Sequence, residues 1–178
     1  MPSPAELKAQ GLQLFQADRL AEAADKFLEA AQAFTAAGDR GAAAEMMNNV
    51  GVVRLAEKAW EAALTAVLGT PEIFHELGDK LREAQALSNL ANAHDGAGHL
   101  DEAAQLYEQA IDLFAELGET ENRAACWKAL CGVQIKQGKH LQAVASMQAG
   151  LTLSPKLSAK EKAYKGVLDQ AMKMIGGK

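Results

Sequence analysis

Apolar positions recur along this chain at spacings of three and four, the period of one helical face. In the stretch from Leu87 to Gly118, one helix presents Leu87, Leu90, Ala91 and His94 on one side. The next presents Ala103, Tyr107, Ala110, Phe114 and Leu117. Gly96 and Gly98 predict the end of the first helix, and Gly118 the end of the second. A pair of this kind leaves apolar surface that it cannot bury alone, so the pattern demands neighbours.

The neighbours stand at a fixed interval of 40 residues, without gaps. At that displacement Ala91 falls on Gly11, Gly51 and Cys131, all small enough for two helices to come close. Ala103 falls on Ala23, Ala63 and Ala143, and Tyr107 on Phe27, Val67 and Met147. Phe114 matches Phe34 and Phe74, while Gly118 matches Gly38 and Gly78. The fourth copy lacks that ending, because Ser154 and Pro155 cut its second helix short. A repeat of this length sets the architecture before local propensity does: an all-α, right-handed solenoid of four helix-turn-helix units.

The pattern resembles the tetratricopeptide repeat. In the fourth copy Trp127, Leu130, Cys131, Ala143, Met147, Gly150 and Pro155 stand at that family's bulky, small and terminating positions. The usual repeat has about 34 residues. The longer unit here is similar to the extended variant of kinesin light chains, whose first helices carry Asn-x-Leu-Ala, as Asn89-Leu90-Ala91 does. The resemblance covers residues 4–155 and implies a fold with many partners.

The expected organisation is one domain over residues 1–178, with repeats at 4–39, 40–79, 80–119 and 120–155 and a capping helix at 158–175. Two capping boxes predict helix starts, Ser3-Pro4-Ala5-Glu6 and Ser158-Ala159-Lys160-Glu161. The last helix carries Ala163, Tyr164, Val167, Leu168, Ala171 and Ile175 on one face, expected to cover the fourth repeat. Pro71 interrupts the second helix of the second copy, where it removes an amide that would bond the Val67 carbonyl and predicts a kink or break. Trp60 aligns with Leu20 and Leu100 and is expected to pack under the turn.

Composition narrows the function. A formal charge of -5 argues against nucleic acid as the main partner. No apolar run approaches a membrane span, and Met-Pro-Ser-Pro-Ala-Glu does not read as a signal peptide, so the expected location is cytoplasmic with no membrane partner. Cys126 and Cys131 lie five apart on a predicted helix and are expected to be reduced packing residues. No phosphate loop, nucleophile elbow, zinc-hydrolase histidine pair or other catalytic constellation occurs. The expectation is therefore a protein that is not an enzyme, with no catalytic residues, no cofactor and no metal.

A binding surface is more concrete. First helices line the concave side of such a stack, so what they do not bury faces a bound segment. By the repeat register these residues include Lys8, Leu12 and Phe15; Glu45, Asn48, Asn49, Val52 and Leu55; Gln85, Ser88, Asn89, Asn92 and Asp95; and Ala125, Lys128, Ala129, Ile135 and Lys136. Asparagine is a mediocre helix former, yet Asn48, Asn49, Asn89 and Asn92 sit mid-helix. Its amide donates and accepts at once, which suits a peptide backbone. The resemblance implies the same for the positions of Asn49 and Asn89. The carboxylate clamp of chaperone-binding members is not matched: Lys8 and Asn49 fit it, but Leu12, Gln85 and Asn89 stand where Asn, Lys and Arg are needed. Lys128 and Lys136, with Lys139, form an expected basic patch. The expected function is an adaptor that holds a protein or peptide partner in the concave groove through Asn48, Asn49, Val52, Leu55, Ser88, Asn89, Asn92, Lys128 and Lys136. The alternatives are a self-associating structural module, that is a homo-oligomer, and a small-molecule sensor.

Overall fold

The structure is a computed structural model that describes residues 2–154 and 156–176. Among these residues all regular structure is helical: α1 Pro4–Gln16, α2 Leu20–Ala36, α3 Arg40–Ala56, α4 Trp60–Val67, α5 Thr70–Glu76, α6 Lys80–Ala97, α7 Leu100–Leu117, α8 Thr120–Lys136, α9 His140–Leu153 and α10 Ala159–Gly176. The helices pair as α1 with α2, α3 with α4 and α5, α6 with α7, and α8 with α9, and each pair packs on the next.

The register of the sequence is the register of the packing. A Cβ built on Gly11 would lie 2.6 Å from the Phe27 ring, and one built on Gly51 would overlap the Val67 side chain. In the first two repeats the glycine of the first helix is thus the floor on which the bulky residue sixteen positions later rests. Three core clusters result. One gathers Leu7, Phe27, Met46, Val50 and Val53 between α1, α2 and α3. Another gathers Leu87, Tyr107, Ile111, Phe114, Leu130 and Val133 between α6, α7 and α8. A third gathers Phe74 of α5 with Ala44 of α3 and Ala86 of α6. Trp60 is half-buried, and its ring lies against Gly96 of α6, so it braces the next repeat.

The turns repeat as strictly as the core. Asp18 and Lys58 have φ of 58° and 57°, and Gly98 and Gly138 occupy the same left-handed conformation at the equivalent positions. A non-glycine residue is strained there by its own Cβ. Lys58→Gly is expected to raise stability by ~0.5–1 kcal/mol, the relief of strain exceeding the entropy that glycine adds to the unfolded chain. Thermal unfolding of the two proteins side by side reads this directly.

The Pro71 expectation resolves as a full break. Leu68 is extended, with ψ of 128°, Gly69 is left-handed, with φ of 81°, and α5 starts anew with Pro71 in its first turn. The Val67 carbonyl, which loses an amide partner, instead accepts a 2.8 Å hydrogen bond from the Thr70 hydroxyl, which is buried. Both predicted capping boxes are present: Glu6 N–H donates to Ser3 Oγ, and Glu161 N–H donates to Ser158 Oγ, each at 3.2 Å. Ser154 ends α9 in an extended conformation, with its hydroxyl on the Gly150 carbonyl at 2.8 Å. Pro155, expected to end the fourth copy, lies outside the described residues.

The last helix departs from expectation. Leu168 is buried, but Tyr164 is 47% and Val167 65% exposed, and an apolar wedge of about 500 Å³ opens between α9 and α10. The side chains of Ala171 and Ile175 lie outside the described residues. What joins α10 to the stack near its start is polar: Lys128 Nζ reaches Glu161 Oε1 at 2.8 Å across from α8. Of the described part of the apolar face, Leu168 is seated against the fourth repeat, while Tyr164 and Val167 stand open beside it.

Candidate functional site

The first helices α3, α6 and α8 lie side by side and leave a groove of about 390 Å³ on their common face. Its walls are Asn48, Asn49 and Val52 from α3, Gln85, Ser88, Asn89 and Asn92 from α6, and Asn122, Ala125, Cys126 and Ala129 from α8, with Tyr107 and Phe114 of α7 behind them. The repeat spacing accounts for the convergence, since Asn49 and Asn89 occupy one register position on adjacent helices.

Hydrogen bonds tie this floor together. Asn89 Nδ2 donates to Asn48 Oδ1 at 3.2 Å, and the Tyr107 hydroxyl donates to Asn92 Oδ1 at 2.6 Å. Ser88 Oγ donates to its own helix, to the Gln85 carbonyl at 2.9 Å. Burial raises the Tyr107 phenol pKa far above its ordinary value, and the nearby charges of Asp95 and Cys126 add to the shift, so the group is a permanent donor at neutral pH. Burial also pushes the Cys126 thiol up to about 11 and raises Cys131, which makes both poor nucleophiles; both are free and buried.

Of the residues expected to bind, Asn48, Asn49, Val52, Ser88, Asn89 and Asn92 come together in the groove. Leu55, Lys128 and Lys136 are not among its walls. Leu55 is half-buried beyond the end of the groove, while Lys128 is engaged by Glu161 and Lys136 by Asp95, the latter at 2.7 Å. Phe15 packs against the core between α1 and α2. The expected basic patch is thus already paired at all three of its lysines, since Lys139 stands 3.9 Å from Asp101. Tyr107 and Asn122 were not on the expected binding face. A signal for Tyr107 exists in the sequence: it alone carries a hydroxyl among the register partners Phe27, Val67 and Met147, and a buried hydroxyl requires a partner.

The Lys128 ammonium, with the Ser158 amide and hydroxyl, holds the Glu161 carboxyl down to about 2, from an ordinary 4.5. A depressed folded-state pKa means that the contact contributes fully above about 4.5 and is lost as pH falls toward about 2. Glu161→Gln is accordingly expected to show less helix by circular dichroism than the wild type at pH 5. The difference should shrink to nothing as both are titrated toward pH 2. A difference that is constant with pH would mean that the pair does not hold α10.

His94 and His99 face each other with Nδ1 atoms 3.3 Å apart, and burial first, then the His99 charge, lowers the His94 pKa. Among the described residues no group of three or more His, Cys, Asp or Glu side chains is placed to hold a metal ion, and no helix is long and apolar enough to cross a membrane.

This architecture, helix hairpins stacked at a constant register around a groove of first helices, is that of a helical-repeat solenoid. Residues 43–116 match the tetratricopeptide-repeat family model, so that stretch carries repeats of that family. The fold is similar to that of BtubC (BKLC) from P. vanneervenii, at TM-score 0.77 and 18% identity over 88% of this chain and 68% of that one. It is also similar to MamA from Desulfovibrio magneticus RS-1, at TM-score 0.66 and 19% identity over 85% and 75%. Aspartyl phosphate phosphatase F from Bacillus subtilis aligns at TM-score 0.77 and 12% identity over 93% of this chain, which spans 44% of that protein. At these identities the likeness concerns the fold. No curated protein matches the sequence.

Proposed function

We propose that this chain is a non-catalytic adaptor that binds an extended segment of a partner protein in the groove between α3, α6 and α8, with residues 1–178 acting as one unit. The observation that carries the reading is the convergence of Asn48, Asn49, Asn89 and Asn92 on one groove floor from two successive repeats. Mid-helix asparagine is disfavoured by propensity, and a side chain that both donates and accepts is suited to the alternating groups of a main chain. Val52 supplies an apolar contact beside them. Lys128 and Lys136 act in this reading as structural partners of Glu161 and Asp95. A cytoplasmic setting agrees with the two buried free thiols.

The test is a pull-down from the source cell's soluble extract with wild type beside Asn49→Ala, Asn89→Ala, both checked for helicity. A partner retained by wild type should bind the double variant at least about tenfold more weakly, the loss of roughly two hydrogen bonds. Equal retention by both baits would remove the asparagines from the site.

A further inference from the structure

Register places five charged side chains on the concave side, Lys8, Glu45, Asp95, Lys128 and Lys136, and each one is in an ion pair. Lys8 meets Glu45 at 2.5 Å, and Glu45 also faces Arg82 at 3.3 Å. None of the groove's walls is charged.

The hydrogen bonds already made on the floor decide which groups remain for a ligand. Asn92 accepts from Tyr107 through Oδ1 and so turns its NH2 outward as a donor. Asn48 accepts through Oδ1 from Asn89, which leaves the Asn48 NH2 as a donor and Asn89 Oδ1 as an acceptor. The rings behind the floor offer no open face for a sugar or a base to stack on, since Tyr107 and Phe114 are each 2% exposed. Donors and an acceptor without charge match the carbonyls and amides of an extended main chain, which follow one another at about 3.3 Å per residue.

Resting on the reading of this groove as a peptide site, we propose that it selects an uncharged stretch of extended peptide, with Tyr107 as the positioning residue that aims the Asn92 NH2 at a ligand carbonyl. A charged side chain entering the groove would lose water without gaining a partner, or would have to break a pair that already exists. The ion pairs at the rim thus act as a filter against acidic and basic segments alike.

The probe is a phage-displayed library of random dodecapeptides, panned on intact wild type and on the Asn49→Ala, Asn89→Ala variant. Peptides enriched on wild type alone are then measured in solution against wild type, Tyr107→Phe, Asn92→Ala and the Tyr107→Phe, Asn92→Ala pair. The expected peptides are depleted in Asp, Glu, Lys and Arg relative to the library, and their affinity changes less than about twofold between about 50 and 500 mM salt. Tyr107→Phe weakens them about fivefold, and adds nothing once Asn92 is alanine. Enriched peptides rich in charge, with affinity falling tenfold or more in salt, would overturn the selectivity while leaving the groove as a peptide site. A Tyr107→Phe loss of equal size in both backgrounds would make Tyr107 merely structural. Enrichment that does not distinguish wild type from the asparagine variant, or no enrichment, would overturn the groove reading itself.

Discussion

Phe114→Ala is expected to cost about 4 kcal/mol of stability, the largest loss of any single truncation considered for this chain. The ring is 2% exposed and sits in the cluster with Tyr107, Leu130 and Val133, where α6, α7 and α8 meet. It also backs the groove, so its removal should loosen the asparagine floor and reduce peptide binding with stability. The register supplies an internal control. Phe74 is as deeply buried, at 1%, but Phe34 is only partly buried. Phe34→Ala should therefore cost about half as much, ~2 kcal/mol, because less of the ring leaves a closed environment. Urea unfolding of the two variants beside the wild type reads the order, and an equal loss at Phe34 and Phe114 would show that burial does not grade these equivalent sites.

Gly51→Leu is the second large effect, with an expected loss of ~3 kcal/mol. Even a Cβ at Gly51 would overlap Val67, which is fully buried, so α3 and α4 would have to part. The compensating change follows from the same geometry. Val67→Ala removes the obstructing methyl groups, and the Gly51→Leu, Val67→Ala double variant should recover about half of the loss. Two single losses that simply add would mean that the residues do not share one space.

The 40-residue register made the pairing of helices, the close-approach positions and most of the groove legible from sequence, because each depends on which residues share a helical face. Asn48, Asn49, Ser88, Asn89 and Asn92 were found this way, and they do converge. Lys128 and Lys136 fall outside the groove's walls because a helical face says where a long side chain starts, not which acid it finds. Their partners, Glu161 and Asp95, lie 33 and 41 residues away. Tyr107 escaped because its ring belongs to the core while its hydroxyl belongs to the groove. The exposure of Tyr164 and Val167 on α10 was equally hidden, since an amphipathic pattern predicts that a face is apolar but not how closely each residue is seated.

The break between α4 and α5 has a mechanical meaning. A severed helix is ordinarily where a rod bends or peels. Here both fragments lie against the same two helices, α3 and α6. Tension along the stack would therefore load them in parallel, and neither could swing away without dragging on the same supports. The second repeat gains a corner in its outer layer and keeps its stiffness, like a bricked wall in which one long course has been replaced by two short ones bonded to the same neighbours.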